Sequence, residues 1–465
     1  MMYDILLQNC HIFGHDESDT LGIRNGLIEY IGNGVEKQAK KKIDLEGRMI
    51  VPGFVDSHTH MLSLGLSLTG LELSGAKSKD EALNKVKEYA KKAEKIIVGR
   101  GWDESLWKDR TYITREDLDV IEKPVILFRR DGHMATLNTA ALRILALESR
   151  KDGILKEKEL DLLDPLVTPS KTVQKKALQE AFKRALQEGV TFVRDIVDAN
   201  TFEVYKKMKH IPIGVKMLIY DNDANKSICN ESSICGVKTF LDGSIGAMTA
   251  AVSDWDSSNV LATKDNLSSI AQHAWSMKLP LAVHAIGDKA TELAAEVLSE
   301  GSHFKNSIEH FELVHDDLLQ SMDRHIIASC QPNFLQWSLP GGLYERRLGR
   351  YWLENNNPYR KILDSGIHLA FGSDCMPFGP LYGIKLATSS PFQKQRISAE
   401  EAITCYTYEG AYLLGMEQIG KLEKGYYADI VILSNTLDRL DNCKVEATLV
   451  HGRTLYSSDS FKGLK

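Results

Sequence analysis

The chain has 465 residues, of which 43% are apolar and 26% are charged, as in an ordinary globular protein, and this composition excludes a mostly disordered chain. Its 57 basic and 63 acidic residues give a net charge of −6, so charge favours binding neither to nucleic acid nor to an anionic membrane. At about 150 residues per domain, the length fits several domains or one large α/β barrel with attachments.

The sequence contains no apolar stretch of the roughly 18 residues that a membrane-spanning helix needs. The first residues lack a basic segment ahead of their short apolar run, so we expect no signal peptide. The seven cysteines are odd in number and dispersed, without a C-x-x-C pair. This pattern is typical of reduced thiols, and we expect a cytoplasmic protein.

Both ends of the chain have strand patterns. Short apolar runs at 3–12 and 27–32 are matched by runs at 428–433 and 447–452, each bounded by turn residues. Neither end has enough strands for a stable sheet of its own. We therefore predict one composite β domain formed by residues 1–52 and 418–465.

The middle of the chain alternates strands with helices. A helix is predicted over 172–188, with an apolar face and Gly189 as its stop. Eight strands are predicted: one ending at His58 and seven at 190–193, 213–219, 235–241, 280–285, 307–312, 326–331 and 368–373. This alternation predicts a (β/α)8 TIM barrel over 53–417. A barrel needs about 250 residues, so the excess indicates an insertion near 62–165, with a helix near 81–95.

Several histidines lie at the predicted carboxyl ends of these strands, where the mouth of a barrel forms. His58 and His60 are two apart in a strand and so face the same way. His284, His310 and Asp374 each end or follow another strand. Imidazole and carboxylate groups converging on one mouth predict a site for Zn, Mn, Fe, Co or Ni. The remaining histidines, apart from His133, are interpreted as ordinary core or surface residues: 11, 15, 210, 273, 303, 315, 325, 368 and 451.

Lys238 lies in the predicted strand 235–241, and two interpretations remain open for it. It forms a salt bridge to Asp242, or its neutral amine reacts with CO₂ to give a carbamate that bridges two metal ions.

Further motifs follow one another along nearly the whole chain: VPGFVDSHTH at 51–60, GWDE at 101–104, TREDLD at 114–119, RDGH at 130–133, DGSIG at 242–246, VHAIGD at 283–288, IEH at 308–310, GSD at 372–374 and GKLEKGYYAD at 420–429. In these motifs and their order the sequence resembles the amidohydrolase superfamily, specifically its YtcJ-like branch of the amidohydrolase-3 type. Two departures stand out. The segment Ala247-Met248-Thr249 lacks the arginine of the family pattern, and Asp374 is followed by Cys375, which we interpret as a packing residue.

The resemblance implies a distorted TIM barrel with a β-sandwich built from both termini. It also implies two divalent metal ions, Zn first, bridged by carboxylated Lys238. One ion would be held by His58, His60 and Asp374, and the other by His284 and His310.

The expected activity is hydrolysis of a non-peptide carbon–nitrogen bond, of the amide or N-acyl or N-formyl amine type, by a metal-bridging hydroxide. Asp374 would move the proton, and His133 would hold the carbonyl oxygen or the substrate. Trp102, Asp103 and Glu104 either line the substrate pocket or make structural contacts within the insertion.

The alternatives are a mononuclear deaminase or an ester or cyclic-amide hydrolase of the same superfamily, a non-catalytic scaffold, and a binding module for nucleic acid or protein. A deaminase would not need Lys238, a scaffold would be expected to lose metal ligands, and charge and motifs disfavour a binding module. We expect a small-molecule substrate, no nucleic-acid or membrane partner, and leave a homodimer open. The insertion is predicted to be a lid that sets substrate choice, or else a shield or an oligomer interface.

Overall fold

The computed structural model describes residues 2–34, 38–93, 96–167, 169–255 and 262–461. The strands among them are β1 (Tyr3–Ile12), β2 (Thr20–Arg24), β3 (Leu27–Gly32), β4 (Ala39–Pro52), β5 (Phe54–Thr59), β6 (Leu71–Glu72), β7 (Ile97–Trp102), β8 (Val125–Arg129), β9 (Met134–Leu137), β10 (Ile154–Lys156), β11 (Val190–Val197), β12 (Gly214–Tyr220), β13 (Ile234–Phe240), β14 (Leu281–Ala285), β15 (Ser307–His310), β16 (Ile327–Cys330), β17 (Leu369–Phe371), β18 (Ile430–Leu433), β19 (Val445–Val450) and β20 (Arg453–Ser457).

The α-helices among the same residues are α1 (Met61–Thr69), α2 (Lys79–Lys92), α3 (Arg115–Leu118), α4 (Thr139–Ile144), α5 (Asp164–Val167), α6 (Lys171–Gln187), α7 (Ala199–Lys206), α8 (Lys226–Cys229), α9 (Lys264–Ser276), α10 (Asp288–Leu298), α11 (Asp316–Ser321), α12 (Leu343–Arg347), α13 (Arg350–Asn355), α14 (Tyr359–Asp364), α15 (Pro380–Ser389), α16 (Ala399–Cys405) and α17 (Tyr408–Leu413). No helix among the described residues is long and apolar enough to cross a membrane.

The barrel is an eight-stranded parallel sheet in the order β5, β11, β12, β13, β14, β15, β16, β17. All eight strands predicted from the sequence are present, so the predicted (β/α)8 class is confirmed. The two ends of the sheet meet where the Asp374 N–H donates to the His58 carbonyl, 2.9 Å away. β15 stops at His310, short of the predicted 312, because His310 and Phe311 have φ of 74° and 50°, which ends the extended backbone.

A seven-stranded sheet contains strands from both termini, in the order β20, β19, β18, β4, β1, β2, β3. β4 joins the two halves, since it runs parallel to β1 and antiparallel to β18. Alternate side chains divide between two cores: Ile50 and Ile430 pack within the sheet's own cluster, while Val51 and Val431 pack with the barrel residues. The sheet is thereby fixed to the barrel. The exact domain limits at 52 and 418 stay predictions.

The segment between β5 and β11 builds a five-stranded sheet in the order β10, β9, β8, β7, β6, with its own core around Trp102, Trp107 and Val125. The chain leaves the barrel through α1, which lies against α6 at a very short distance. A Cβ at Gly65 would lie 2.0 Å from the Ala177 carbonyl oxygen, so this crossing requires glycine. The helix predicted near 81–95 is α2, and residues 94–95 lie outside the described residues.

Candidate metal centre

His58, His60 and Asp374 converge where β5 and β17 end at the mouth of the barrel. One ligand atom from each lies within 4.8 Å of the others. Asp374 Oδ1 is 3.2 Å from His60 Nε2 and 3.6 Å from His58 Nε2. Burial alone would raise the pKa of Asp374, but the neighbouring His58, the hydrogen bond from His60 and Lys238 bring it below its ordinary value. These three residues form the candidate metal site.

His58 is oriented by a buried ion pair. Its Nδ1 donates to Glu309 Oε2 at 2.6 Å, and Glu309 Oε1 accepts from Arg194 Nη2 at 2.6 Å. Burial has the largest effect on the pKa of His58 and lowers it, so the ring is neutral. With the proton held at Nδ1 by Glu309, the lone pair of Nε2 faces Asp374, as a metal ligand requires.

His284 and His310 lie beside this cluster. The His310 ring centroid is 4.8 Å from that of His58 and 4.3 Å from that of His284. Burial, followed by the neighbouring Lys238 and histidines, lowers the pKa of both rings well below the ordinary value. His284 Nε2 donates to the Gly243 carbonyl at 3.0 Å, which leaves its Nδ1 as the lone-pair nitrogen. His310 Nδ1 is buried without a hydrogen-bond partner in the described residues.

Lys238 points into the same region from β13 and is only 1% exposed. Its Nζ lies 3.5 Å from the Thr239 carbonyl and 4.4 Å from the centre of the Phe240 ring. The salt bridge to Asp242 is not formed among the described residues, since Asp242 accepts instead from the backbone N–H groups of 251, 286 and 287. Burial lowers the pKa of Lys238 to about 7, so a neutral amine is accessible at neutral pH.

These observations fit a metal-binding site. Neutral imidazoles and a carboxylate are the forms that bind divalent transition metals, and the unpartnered Nδ1 of His310 is a buried polar atom for which a metal would provide a partner. The donor set of nitrogen and carboxylate oxygen suits Zn, Mn, Fe, Co or Ni.

His133 reaches the mouth of the barrel from the insertion, and its ring centroid lies 5.9 Å from that of His284. Its Nδ1 donates to Glu157 Oε2 at 2.9 Å, and Thr249 Oγ1 donates to Glu157 Oε1 at 2.5 Å. Burial alone would lower the pKa of His133, but the bond to Glu157 and the Asp131 carboxylate raise it. His133 therefore presents a proton-bearing ring beside the metal ligands.

Comparison with known proteins places this geometry in a family. A model described as the amidohydrolase family matches residues 41–456. The chain belongs to the amidohydrolase family. The resemblance inferred from the motifs is confirmed. The predicted enzyme class is confirmed as well: a metal-dependent hydrolase that acts on carbon–nitrogen bonds other than peptide bonds.

Two relatives and one solved structure show how far the similarity extends. LONG AFTER FAR-RED 3 of Arabidopsis thaliana is 28% identical, over 97% of this chain and 91% of its own length. YtcJ of Bacillus subtilis, which bears a provisional amidohydrolase name, is 27% identical, over 95% of this chain and 96% of its own. The crystal structure of an uncharacterized metal-dependent hydrolase from Pyrococcus horikoshii OT3 has a TM-score of 0.76 and 26% identity, over 97% of this chain and 100% of that one.

The structure places three other predicted site residues of the amidohydrolase within the insertion. Trp102 is fully buried, and its Nε1 donates to the Leu127 carbonyl. Asp103 caps the following turn by accepting from the N–H of Ser105, and Glu104 forms a two-point ion pair with Arg129. These are structural contacts within the insertion, one of the two roles expected from the sequence. A role of the three residues in substrate binding stays a prediction.

Arg194, Glu309 and Glu157 were not assigned a role from the sequence. Arg194 stands in strand β11, whose eight residues are all buried. A charged residue inside a buried strand needs a partner, and this was the signal that could have pointed to Glu309. Glu157 gave no comparable signal, since it begins the 3-10 helix Glu157–Leu163 and is not part of a buried strand. Cys375 Sγ accepts from the His60 N–H at 3.4 Å, and burial raises the pKa of its thiol well above the ordinary value.

Proposed function

We propose that the enzyme uses two divalent metal ions, preferably zinc, to hydrolyse the amide-type bond of a small N-acyl or N-formyl amine. His58, His60 and Asp374 would hold one ion, and His284 with His310 the other. The observation that carries this proposal is the position of Lys238, a buried amine without an anionic partner among the described residues, next to the histidines. Addition of the neutral amine to CO₂, with loss of one proton, gives a carbamate anion that suits the bridging position.

When bound, the metal ions supply an activated water and polarise the substrate carbonyl. The Asp374 carboxylate takes the proton of the attacking water and returns it to the leaving nitrogen, as general base and then general acid. His133 acts as an imidazolium, in which Nδ1 donates to Glu157 and Nε2 donates to the carbonyl oxygen. Glu157 keeps the ring in that orientation, and Glu309 does the same for His58.

The test combines metal analysis with a hydrolase panel. Protein prepared with ample zinc and bicarbonate should contain two metal ions per chain and hydrolyse N-acyl or N-formyl amines in preference to esters and cyclic amides. His60→Asn should lose metal and activity. His210→Asn, on an exposed histidine away from the barrel mouth, is the matched control and should change neither. Full activity with one ion per chain, or turnover confined to ring deamination, would instead support the mononuclear deaminase.

We also propose a cytoplasmic location and a lid role for the insertion. The location is supported by the seven cysteines, none of which is in a disulfide. The lid role is supported by contacts across the mouth: Ser244 Oγ donates to Asp131 Oδ2 at 3.3 Å, and Thr249 bonds to Glu157.

A further inference from the structure

A cavity of about 280 Å³ lies between the insertion and α12. It is lined by Glu104, Arg110, Tyr112, Arg346 and Arg347. α12 follows β16 in the chain, and the insertion follows β5, so both leave the carboxyl ends of barrel strands. The cavity therefore lies on the same face of the barrel as the metal ligands.

The three arginines of this cavity, Arg110, Arg346 and Arg347, form what we call the arginine pocket. None of them has a carboxylate within ion-pair distance in the part of the chain that the structure describes. Arg110 Nη2 donates to the Gly341 carbonyl at 3.3 Å, and Arg347 Nη2 donates to the Tyr112 hydroxyl at 3.3 Å. These acceptors are uncharged, so the guanidinium groups of Arg110 and Arg347 have no anionic hydrogen-bond partner among the described residues.

The acidic groups near the arginine pocket are engaged by other arginines. Both oxygens of Glu104 accept from Arg129, at 2.9 and 3.0 Å. Asp131 accepts from the same Arg129, and Asp103 lies 3.5 Å from Arg129 and 3.9 Å from Arg130. Arg347 Nε is buried and has no acceptor among the described residues, although a buried guanidinium N–H normally has one. Three cations that repel one another, with an unused buried donor, fit an anion.

One turn connects the arginine pocket with the barrel mouth. Arg347 Nη1 contacts Met248 Sδ at 3.2 Å. The next residue, Thr249, bonds to Glu157, which holds His133. Earlier in the same turn, the Gly243 carbonyl accepts from His284. The arginine pocket and the mouth residues His133 and His284 are thus linked through the same turn, residues 243–249.

We propose that the arginine pocket binds a carboxylate or phosphate group carried by the substrate, so that the substrate is an anionic N-acyl or N-formyl compound. Arginine suits this role because its planar fork of N–H donors matches both anions and stays charged. The assignment to the substrate rests on the proposed function. The anion site itself does not, and it is tested separately.

The anion site is tested by calorimetric titration of the metal-loaded full chain with inorganic phosphate. Wild type should show a salt-sensitive binding event that is weakened about tenfold or more in Arg346→Gln/Arg347→Gln. Any phosphate bound at the metal ions would persist in the variant. Arg350→Gln is the matched control, since Arg350 lies on the next helix and pairs with Glu354 at 3.0 Å, and its titration should match wild type. Identical titrations of wild type and the double variant would overturn the anion site.

The assignment to the substrate is tested with charged and neutral compounds that are otherwise matched. N-acetylglycine with N-acetylglycinamide tests a carboxylate, and N-acetyl-O-phosphoethanolamine with N-acetylethanolamine tests a phosphate. The double variant should raise KM about tenfold for the charged member alone, with kcat nearly unchanged. Equal effects on both members would overturn the assignment. Loss of phosphate binding without hydrolysis of any N-acyl compound would contradict the proposed function and leave the anion site supported.

Discussion

Replacing Glu309 by glutamine changes the position of a single proton in the metal centre. The wild-type carboxylate has one oxygen for Arg194 and one for His58, both at 2.6 Å. Burial alone would raise the pKa of Glu309, but Arg194 and His58 hold it well below the usual value. Glutamine keeps the shape but has one oxygen for three donors, since the Ser307 hydroxyl also donates to Oε1. If that oxygen stays with Arg194, the amide NH₂ faces His58 Nδ1 and drives the ring proton to Nε2, where it blocks the metal ligand.

The size of the effect follows from burial and from the bonds that remain. Loss of one partner from a buried ion pair costs about 3–5 kcal/mol. Arg194 keeps bonds to the Ser57 carbonyl at 2.6 Å and the Ser329 hydroxyl at 3.0 Å, so we expect the lower end of that range. For the metal, loss of a group that orients a ligating histidine weakens affinity about 10–100-fold.

Chelator competition measures the metal affinity, and the urea midpoint measures stability. Glu312→Gln provides the control. Glu312 is also buried, but it accepts from the Tyr344 hydroxyl and the Asn357 amide rather than from a cation, and burial raises its pKa to about 7. A neutral amide there should change metal affinity by less than about threefold. Wild-type affinity in Glu309→Gln, or equal losses in the two variants, would refute the reasoning.

Three further substitutions test the roles assigned above. Lys238→Ala should lose metal and activity, and acetate or propionate should restore part of both in metal analysis and assays; an unmodified lysine in the density of a fully loaded, active enzyme would exclude the bridge. Asp374→Asn should lower kcat by about 10²–10⁴ with an unchanged circular dichroism spectrum, and an activity within a few-fold of wild type would remove its proton-transfer role. His133→Ala should keep its metal content and lose most of kcat/KM, whereas unchanged kinetics would make it a structural residue.

The strands and the placement of the ligand candidates could be predicted because both depend on local patterns. His58 and His60 share a face through the two-residue period of a strand, and His284, His310 and Asp374 stand at the ends of short apolar runs. Parallel strands of a barrel bring such ends together regardless of the conformation of the loops. The eight strands and the convergence of His58, His60 and Asp374 therefore needed no knowledge of long-range contacts.

The supporting contacts could not be predicted in this way, because they join residues far apart in the sequence through side-chain geometry. Arg194 and Glu309 are separated by 115 positions, and nothing local pairs them. The same holds for the insertion. Its motif residues indicated a pocket, yet Trp102 packs in the core of a five-stranded sheet of which the sequence predicted only one flanking helix.

The barrel and the insertion therefore contribute to the site in different ways. The barrel supplies ligand positions that strand geometry fixes, and buried pairs such as Arg194 with Glu309 hold the rings in one orientation. The insertion meets the barrel at the turn from Gly243 to Thr249, which touches His284 on one side and Arg347 on the other. A change of substrate can thus arise from residues of the insertion and α12 without disturbing the metal ligands. Variants of the arginine pocket should accordingly alter KM for charged compounds, while variants of Glu309 alter metal affinity for every compound alike.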